Sequence, residues 1–261
     1  MHFMKNDNAV LKIDTEKIKA GLVEFIRNTI AGKGFTKVAL GLSGGVDSAV
    51  VAHLSAAAIG PGNVIGAVMP YGESDAEGLK LADIVAARLK IKKYLINIAP
   101  MVDAYFENFP DADNIRRGNK MARERMSILY DLSKKENALV IGSGNKTEIS
   151  LGYCTLYGDT ACALRPLANL YKTQVYALAR HLGVPEEVIK RRPTAGLWAG
   201  QTDEEEIGYP YDKIDRLLLA MDGSEPGEKG LIEKGFEKDF IADIKRRREK
   251  SEFKRKGPAT P

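Results

Sequence analysis

The 261-residue chain predicts a doubly wound α/β fold built on a parallel sheet, and three observations carry that expectation. Short apolar runs alternate with helical patterns of ten or more residues, the signature of βαβ units. The first apolar run feeds directly into a turn rich in glycine and serine, the usual entry to a ligand site at the carboxyl end of a strand. A 44% hydrophobic composition is enough for a full core, so one domain spanning 1–261 is expected. Five strands in the spatial order 3-2-1-4-5 are expected.

Ile18, Leu22, Phe25, Ile26 and Ile30 recur at helical spacing and predict an amphipathic first helix over 14–30. Lys37 to Leu42 is a short apolar run, read as a buried strand, and the helix from Ser48 closes at Gly60 and Pro61. Asn63 to Pro70 reads as the second strand. Ser74 with Glu77 three residues later fits a capping box for a helix running to about Lys90. Lys93 to Ile98 reads as the third strand, a helix covers roughly 119–135, and Ala138 to Gly142 is the fourth strand. The run near Ala163 supplies the fifth. A helix from Lys172 to His181 ends at Gly183 and Pro185. Beyond it the segment 191–206 is polar and punctuated by Gly and Pro, so a mobile loop is expected there, followed by a helical C-terminal segment.

A net charge of +4 permits anionic ligands without demanding nucleic acid, and the basic run at Lys245 reads as a solvated helix end. The two cysteines, Cys154 and Cys162, form no metal-site or disulfide pattern and are read as small core or loop residues. No apolar signal core opens the chain and no run of about 18 apolar residues occurs, so the expectation is a cytoplasmic protein with no membrane partner. His53 lies in an apolar helix and reads as a packed histidine. Trp198 is either a loop anchor or a ligand contact.

The stretch G-L-S-G-G-V-D-S at Gly41 to Ser48 is the most informative. A strand, a glycine-rich turn and a helix together form an anion-binding device, because backbone N–H groups and the positive helix end converge on one point. Gly41, Leu42, Ser43, Gly44, Gly45, Val46, Asp47 and Ser48 are therefore the candidate anion-binding residues. Val46 occupies the place where a kinase-type phosphate loop needs lysine, and the dinucleotide fingerprint G-x-G-x-x-G is absent. Asp47 sets a carboxylate beside bound phosphates, an arrangement that makes electrostatic sense with a divalent cation between them.

S-G-G-x-D-S after a strand resembles the signature of the ATP pyrophosphatases, which cleave ATP between the α and β phosphates. Five further motifs follow in order: Gly118 to Met126, Ile141 to Glu148, Tyr157 to Asp159, Pro166 to Thr173 and Pro193 to Gly208. With the loop they resemble the ammonia-dependent NAD synthetases from about residue 10 to 256. The resemblance implies an adenine nucleotide alpha hydrolase-like fold, ATP as co-substrate, and Mg²⁺ held by Asp47 and Glu148. It implies further ATP contacts at Ser143, Lys172 and Thr194, and deamido-NAD binding by Arg123. Asp47, Asp159 and Lys172 are the implied catalytic residues, with Asp159 near the ammonia position. A homodimer with the dinucleotide site near the subunit interface is also implied.

The chain departs from the common pattern at Leu156, Ala163 and Phe253, where many members carry lysine, aspartate and histidine. A branch with G-D-x-A-C-A, which Gly158 to Ala163 resembles, shares such replacements. The length leaves no room for the roughly 250 to 300 residues of a nitrilase-type glutaminase domain, so free ammonia is the expected nitrogen donor. Rival readings are a tRNA-modifying adenylating enzyme, the ATP pyrophosphatase half of a GMP synthetase and a non-enzymatic nucleotide sensor.

Overall fold

A computed structural model describes residues 11–73, 75–194, 196, 202–223, 227–258 and 260. Four parallel strands form the sheet: β1 (Lys37–Gly41), β2 (Val64–Val68), β3 (Lys92–Leu95) and β4 (Ala138–Val140), in the order β3-β2-β1-β4. The central strands are the most apolar. Every residue of β2 is buried, as a parallel strand covered on both faces requires.

The fifth strand is not formed. Its residues contribute one bridge, Ile141 to Leu164, with Ala163 N–H donating to Val140 and Gly142 N–H to Leu164. Pro166 then lacks an N–H to continue the ladder, and the chain turns into a 3₁₀ segment over Pro166–Asn169. The expected strand order otherwise holds for the four strands present.

Helices cover both faces. α1 (Thr15–Gly32), α2 (Val46–Ile59) and α3 (Ala76–Leu89) bury Ile26, Ile30, Val50, Leu54, Leu81 and Val85 against one face. α4 (Ala99–Phe106) and α5 (Asn114–Glu136) close the other with Val102, Phe106, Met121 and Leu132. The cap of α3 is Asp75, whose carboxylate accepts from Gly78 N–H; the Ser74 side of the expected capping box lies outside the described residues.

Beyond α6 (Lys146–Leu151) and α7 (Lys172–Leu182) the chain is more regular than its sequence suggests. It forms α8 (Glu186–Lys190), α9 (Asp203–Ile207), α10 (Tyr211–Asp222), α11 (Glu228–Glu233) and α12 (Lys238–Lys250). The end of the expected 191–206 loop is thus helical. Ile214, Leu217, Leu218, Phe240, Ile241 and Ile244 make a second apolar cluster, which reaches α6 and α7 through Leu151 and Tyr171. No described helix is long and apolar enough to cross a membrane.

Two glycines set the depth of the turn after β1. Gly44 has φ +77°, and a Cβ there would stand 2.2 Å from the Gly78 carbonyl oxygen. The turn therefore rests backbone-on-backbone against the first turn of α3. Gly44→Ala would combine a left-handed backbone with a clash that no side-chain rotation relieves. Urea unfolding should show a loss of about 2–4 kcal/mol, whereas alanine at Gly21, exposed in the interior of α1, should instead gain up to about 1 kcal/mol.

Candidate active site

The carboxyl ends of β1, β2 and β4 open into a cleft of about 620 Å³. On one side stands the turn Gly41–Ser48, and on the other the inner face of α5 from Ile115 to Leu129. The turn is braced from within. Ser48 Oγ donates to Gly45 O at 2.9 Å, and Gly45 N–H and Ser43 N–H donate to the hydroxyls of Ser43 and Ser48, each at 3.3 Å. The two serine hydroxyls thus brace the loop from within. The first turn of α2 has no side-chain cap, which leaves its N–H groups facing the cleft end of the helix dipole.

Three elements converge beside that turn. Lys172, in the first turn of α7, is 3% exposed, and its ammonium donates to Asp47 Oδ2 at 2.5 Å and to Glu148 Oε1 at 3.1 Å. A lysine at a helix start opposes the dipole; here the two carboxylates compensate it. Asn145, fully buried, donates from Nδ2 to Asp47 Oδ1 at 2.9 Å and caps α6, accepting from Glu148 N–H at 3.0 Å. The Glu148 carboxylate in return accepts the Asn145 N–H. One capping box therefore aims both acids at the same ammonium.

Burial pushes the Glu148 carboxyl up to about 7, with Lys172 opposing and Asp47 adding to the rise. Burial alone would lower Lys172, but Asp47 and Glu148 outweigh it and hold the ammonium above its ordinary value. Asp203 stands behind this triad, 4% exposed, accepting from the hydroxyls of Tyr153 (3.1 Å) and Tyr211 (3.0 Å). The Tyr211 ring lies 5.2 Å from the Lys172 ammonium.

Arg191 ties the cleft together from the side. It is 8% exposed, pairs with Asp75 at 2.6 Å and donates from Nη1 to the Ser43 carbonyl at 3.1 Å. Loop, α3 cap and the start of the 192–202 segment are thereby held by one guanidinium.

Of the residues named from sequence, Gly41, Leu42, Ser43, Gly45, Val46, Asp47, Ser48, Ser143, Glu148, Asp159, Lys172 and Thr194 all line the cleft. Gly44 lies behind it against Gly78. Arg123 does not line it: its Nε donates to Leu156 O at 3.2 Å on the exposed side of α5. Asp159 is an exposed residue whose carboxylate accepts Thr155 N–H at 2.7 Å, and desolvation of that carboxyl raises it from its ordinary value. Trp198 lies outside the described residues. His53 is a packed histidine bonded to Ala49 O at 2.8 Å, its pKa lowered by burial. Burial raises the Cys154 thiol to about 11, which leaves it an inert thiol.

Sequence reading missed Asn145, Asp203, Arg125 and the Arg191–Asp75 pair. Asn145 was detectable, since N-K-T-E is an Asn-x-x-Glu capping signature.

Residues 18–258 match the family model NAD synthase. The chain belongs to the NAD synthase family. It is 49% identical over 248 residues to the NH(3)-dependent NAD(+) synthetase of Trichlorobacter lovleyi, covering 95% of this chain and 91% of that one. The solved NH3-dependent NAD synthetase of Campylobacter jejuni shares 35% identity with a TM-score of 0.82, covering 96% and 100% of the two chains. The structure of an NMN synthetase from Francisella tularensis shares 32% identity with a TM-score of 0.84, covering 96% and 99%. Members of the family use ATP as co-substrate and small-molecule acceptors. A tRNA-modifying role is not favoured.

Glu148 supplies a signed pH test. A carboxyl with a folded pKa near 7, above the unfolded value of about 4.3, binds its proton more tightly in the native state. The contribution of Glu148 to native stability therefore falls as pH rises from about 4 to about 7 and is flat above. Glu148→Gln removes that titration. Its stability relative to wild type should climb across this window in urea titrations; a pH-independent difference would contradict the assignment.

Proposed function

We propose that this protein is an ammonia-dependent NAD synthetase: it adenylates the carboxylate of deamido-NAD with ATP, releases pyrophosphate, and lets ammonia displace AMP to give the amide. The convergence of Asp47, Glu148 and Lys172 beside an uncapped helix start, within a chain of this family, carries the reading. A full-length match to relatives named for ammonia supports free ammonia as the donor.

The chemistry explains the need for such a site. A carboxylate is a poor electrophile, because ammonia cannot expel oxide from it. Attack of a carboxylate oxygen on the α-phosphorus forms a mixed anhydride and breaks the bond to the β-phosphate oxygen, so pyrophosphate leaves. Ammonia then adds to the acyl carbon, AMP departs, and the proton lost by nitrogen must be accepted nearby. In this reading, the N–H groups of Gly44 to Ser48 and the α2 dipole receive the outer phosphates. The Lys172 ammonium balances the charge that gathers on the leaving pyrophosphate.

Mg²⁺ fits the donor set. Asp47 and Glu148 offer hard oxygens aimed at one point, and with Asp203 they set three carboxyl groups against the single positive charge of Lys172. Two protein carboxylates would leave the remaining coordination positions to nucleotide phosphates and water. When bound, Mg²⁺ would supply charge neutralisation and Lewis acidity at the phosphates.

Asp159, exposed to the cleft and with its carboxyl raised by desolvation, is assigned to attract ammonium and accept its proton. Ser143 and Thr194 are retained as ATP contacts and Arg123 as a deamido-NAD contact, which requires it to leave Leu156 O. Homodimerisation belongs to the proposal, supported by Met101, Tyr105 and Phe109, which leave α4 and the turn after it partly apolar and exposed. A single domain and a cytoplasmic location complete it.

Incubation with Mg–ATP and ammonium should release AMP and pyrophosphate in proportion to deamido-NAD supplied, with nicotinate mononucleotide a poorer acceptor in competition. ADP as product, or acceptor-independent turnover, would overturn the reading. Asp159→Asn should raise the ammonium concentration needed for half-maximal rate by about tenfold or more, and an unchanged dependence would remove Asp159 from the nitrogen step.

A further inference from the structure

Arg125 is a cation of the cleft that no assignment above employs. It stands on α5 and lines the cleft wall, and its Nε donates to the Met69 carbonyl at 3.0 Å, just past the end of β2. Burial lowers its pKa to about 10, with the Asp75 carboxylate opposing too weakly to restore it. The guanidinium is desolvated and short of counter-charge.

The other cations lining the cleft are partnered among the described residues, apart from Arg192, which is exposed to solvent. Lys172 has Asp47 and Glu148, Arg191 has Asp75, and Lys254 donates to the carbonyls of Gly152 and Cys154 at 2.8 and 2.7 Å. For Arg125, no carboxylate within 4.0 Å and no acceptor for either terminal nitrogen occurs among the described residues. A partly buried, unpaired guanidinium costs folding free energy, so its retention calls for an anion that arrives with a ligand. Arg123 cannot serve at the same place. Two residues apart on a helix, the side chains point about 200° apart, and Arg123 faces Leu156 outside the cleft wall.

We propose that Arg125 is a substrate-binding residue whose two terminal nitrogens receive a phosphate group of a bound nucleotide, beside the end of β2 and apart from the Asp47–Lys172–Glu148 centre. The planar fork matches two phosphate oxygens, and the Met69 carbonyl fixes its roll. Both substrates of the proposed reaction carry phosphates, so the inference rests on that reading and leaves the source to experiment.

The test measures Arg125→Met and Arg125→Lys beside wild type by calorimetric titration with Mg–ATP and, separately, deamido-NAD, with thermal melts of the ligand-free proteins. Removing an unpaired charge should leave the ligand-free melting temperature of Arg125→Met equal or higher. The same change should weaken one ligand by about ten- to a hundredfold and the other by less than twofold, the weakened arm naming the source of the phosphate. Arg125→Lys, which keeps the charge without the fork, should fall between. A lower melting temperature for Arg125→Met with both affinities within twofold of wild type would make the arginine a tie between α5 and β2, and overturn the proposal. Wild-type protein that binds neither nucleotide would overturn the functional reading and this one together.

Discussion

The contact between the Lys172 ammonium and the carboxylates of Asp47 and Glu148 is the constraint on which the rest depends. These residues come from three helices, α2, α6 and α7, each starting where the chain leaves or skirts the carboxyl edge of the sheet. Breaking such a pair by removing one partner typically costs about 3–5 kcal/mol, so the three helix starts hold one another in register. The same contact leaves the centre rich in oxygen and negative overall, a poor arrangement for stability and a suitable one for a divalent cation with its phosphates.

Around that contact the fold works as a set of backbone approximations. Gly44 lies on Gly78, Arg191 draws the Ser43 carbonyl towards the α3 cap, and Asn145 caps α6 while reaching Asp47. The loop's hydroxyls and the Ser43 and Gly45 N–H groups brace one another, which leaves the uncapped N–H groups at the start of α2 for a ligand. The C-terminal helices add a second layer. Ser251 packs on Gly152, and Lys254 and Arg255 hold carbonyls at the end of α6, so the helix bearing Glu148 is fixed at both ends.

Much of this was legible. Apolar runs announce β1, β2 and β4, because strands buried on both faces must be largely apolar, whereas β3 is a largely exposed edge strand announced by its place in the alternation with helices. The glycine turn and Asp47 stand out for the same local reason, and the ordered motifs point to the family. What was not legible depends on distant pairing. Leu164 has strand-like neighbours, but Pro166 and the turn after it leave a single bridge where a fifth strand was expected. The helices after Gly183 are short and interrupted, stabilised by packing on Leu151 and Tyr171 rather than by a long periodic stripe. Arg123 and Arg125 look alike in sequence, and only the direction of α5 tells which one faces the cleft. Asp203 reads as one acid in an acidic run until Tyr153 and Tyr211 enclose it.

The central claim, that the turn after β1 grips the phosphates while Asp47 and Glu148 hold their metal, is tested most directly by a crystal structure of the protein with Mg²⁺ and a non-hydrolysable ATP analogue. The account requires the outer phosphates within hydrogen-bonding distance of the Gly44 to Ser48 N–H groups and the metal between the two carboxylates, with Lys172 turned to a phosphate oxygen. A nucleotide bound elsewhere, with the Lys172 pairings intact, would contradict it.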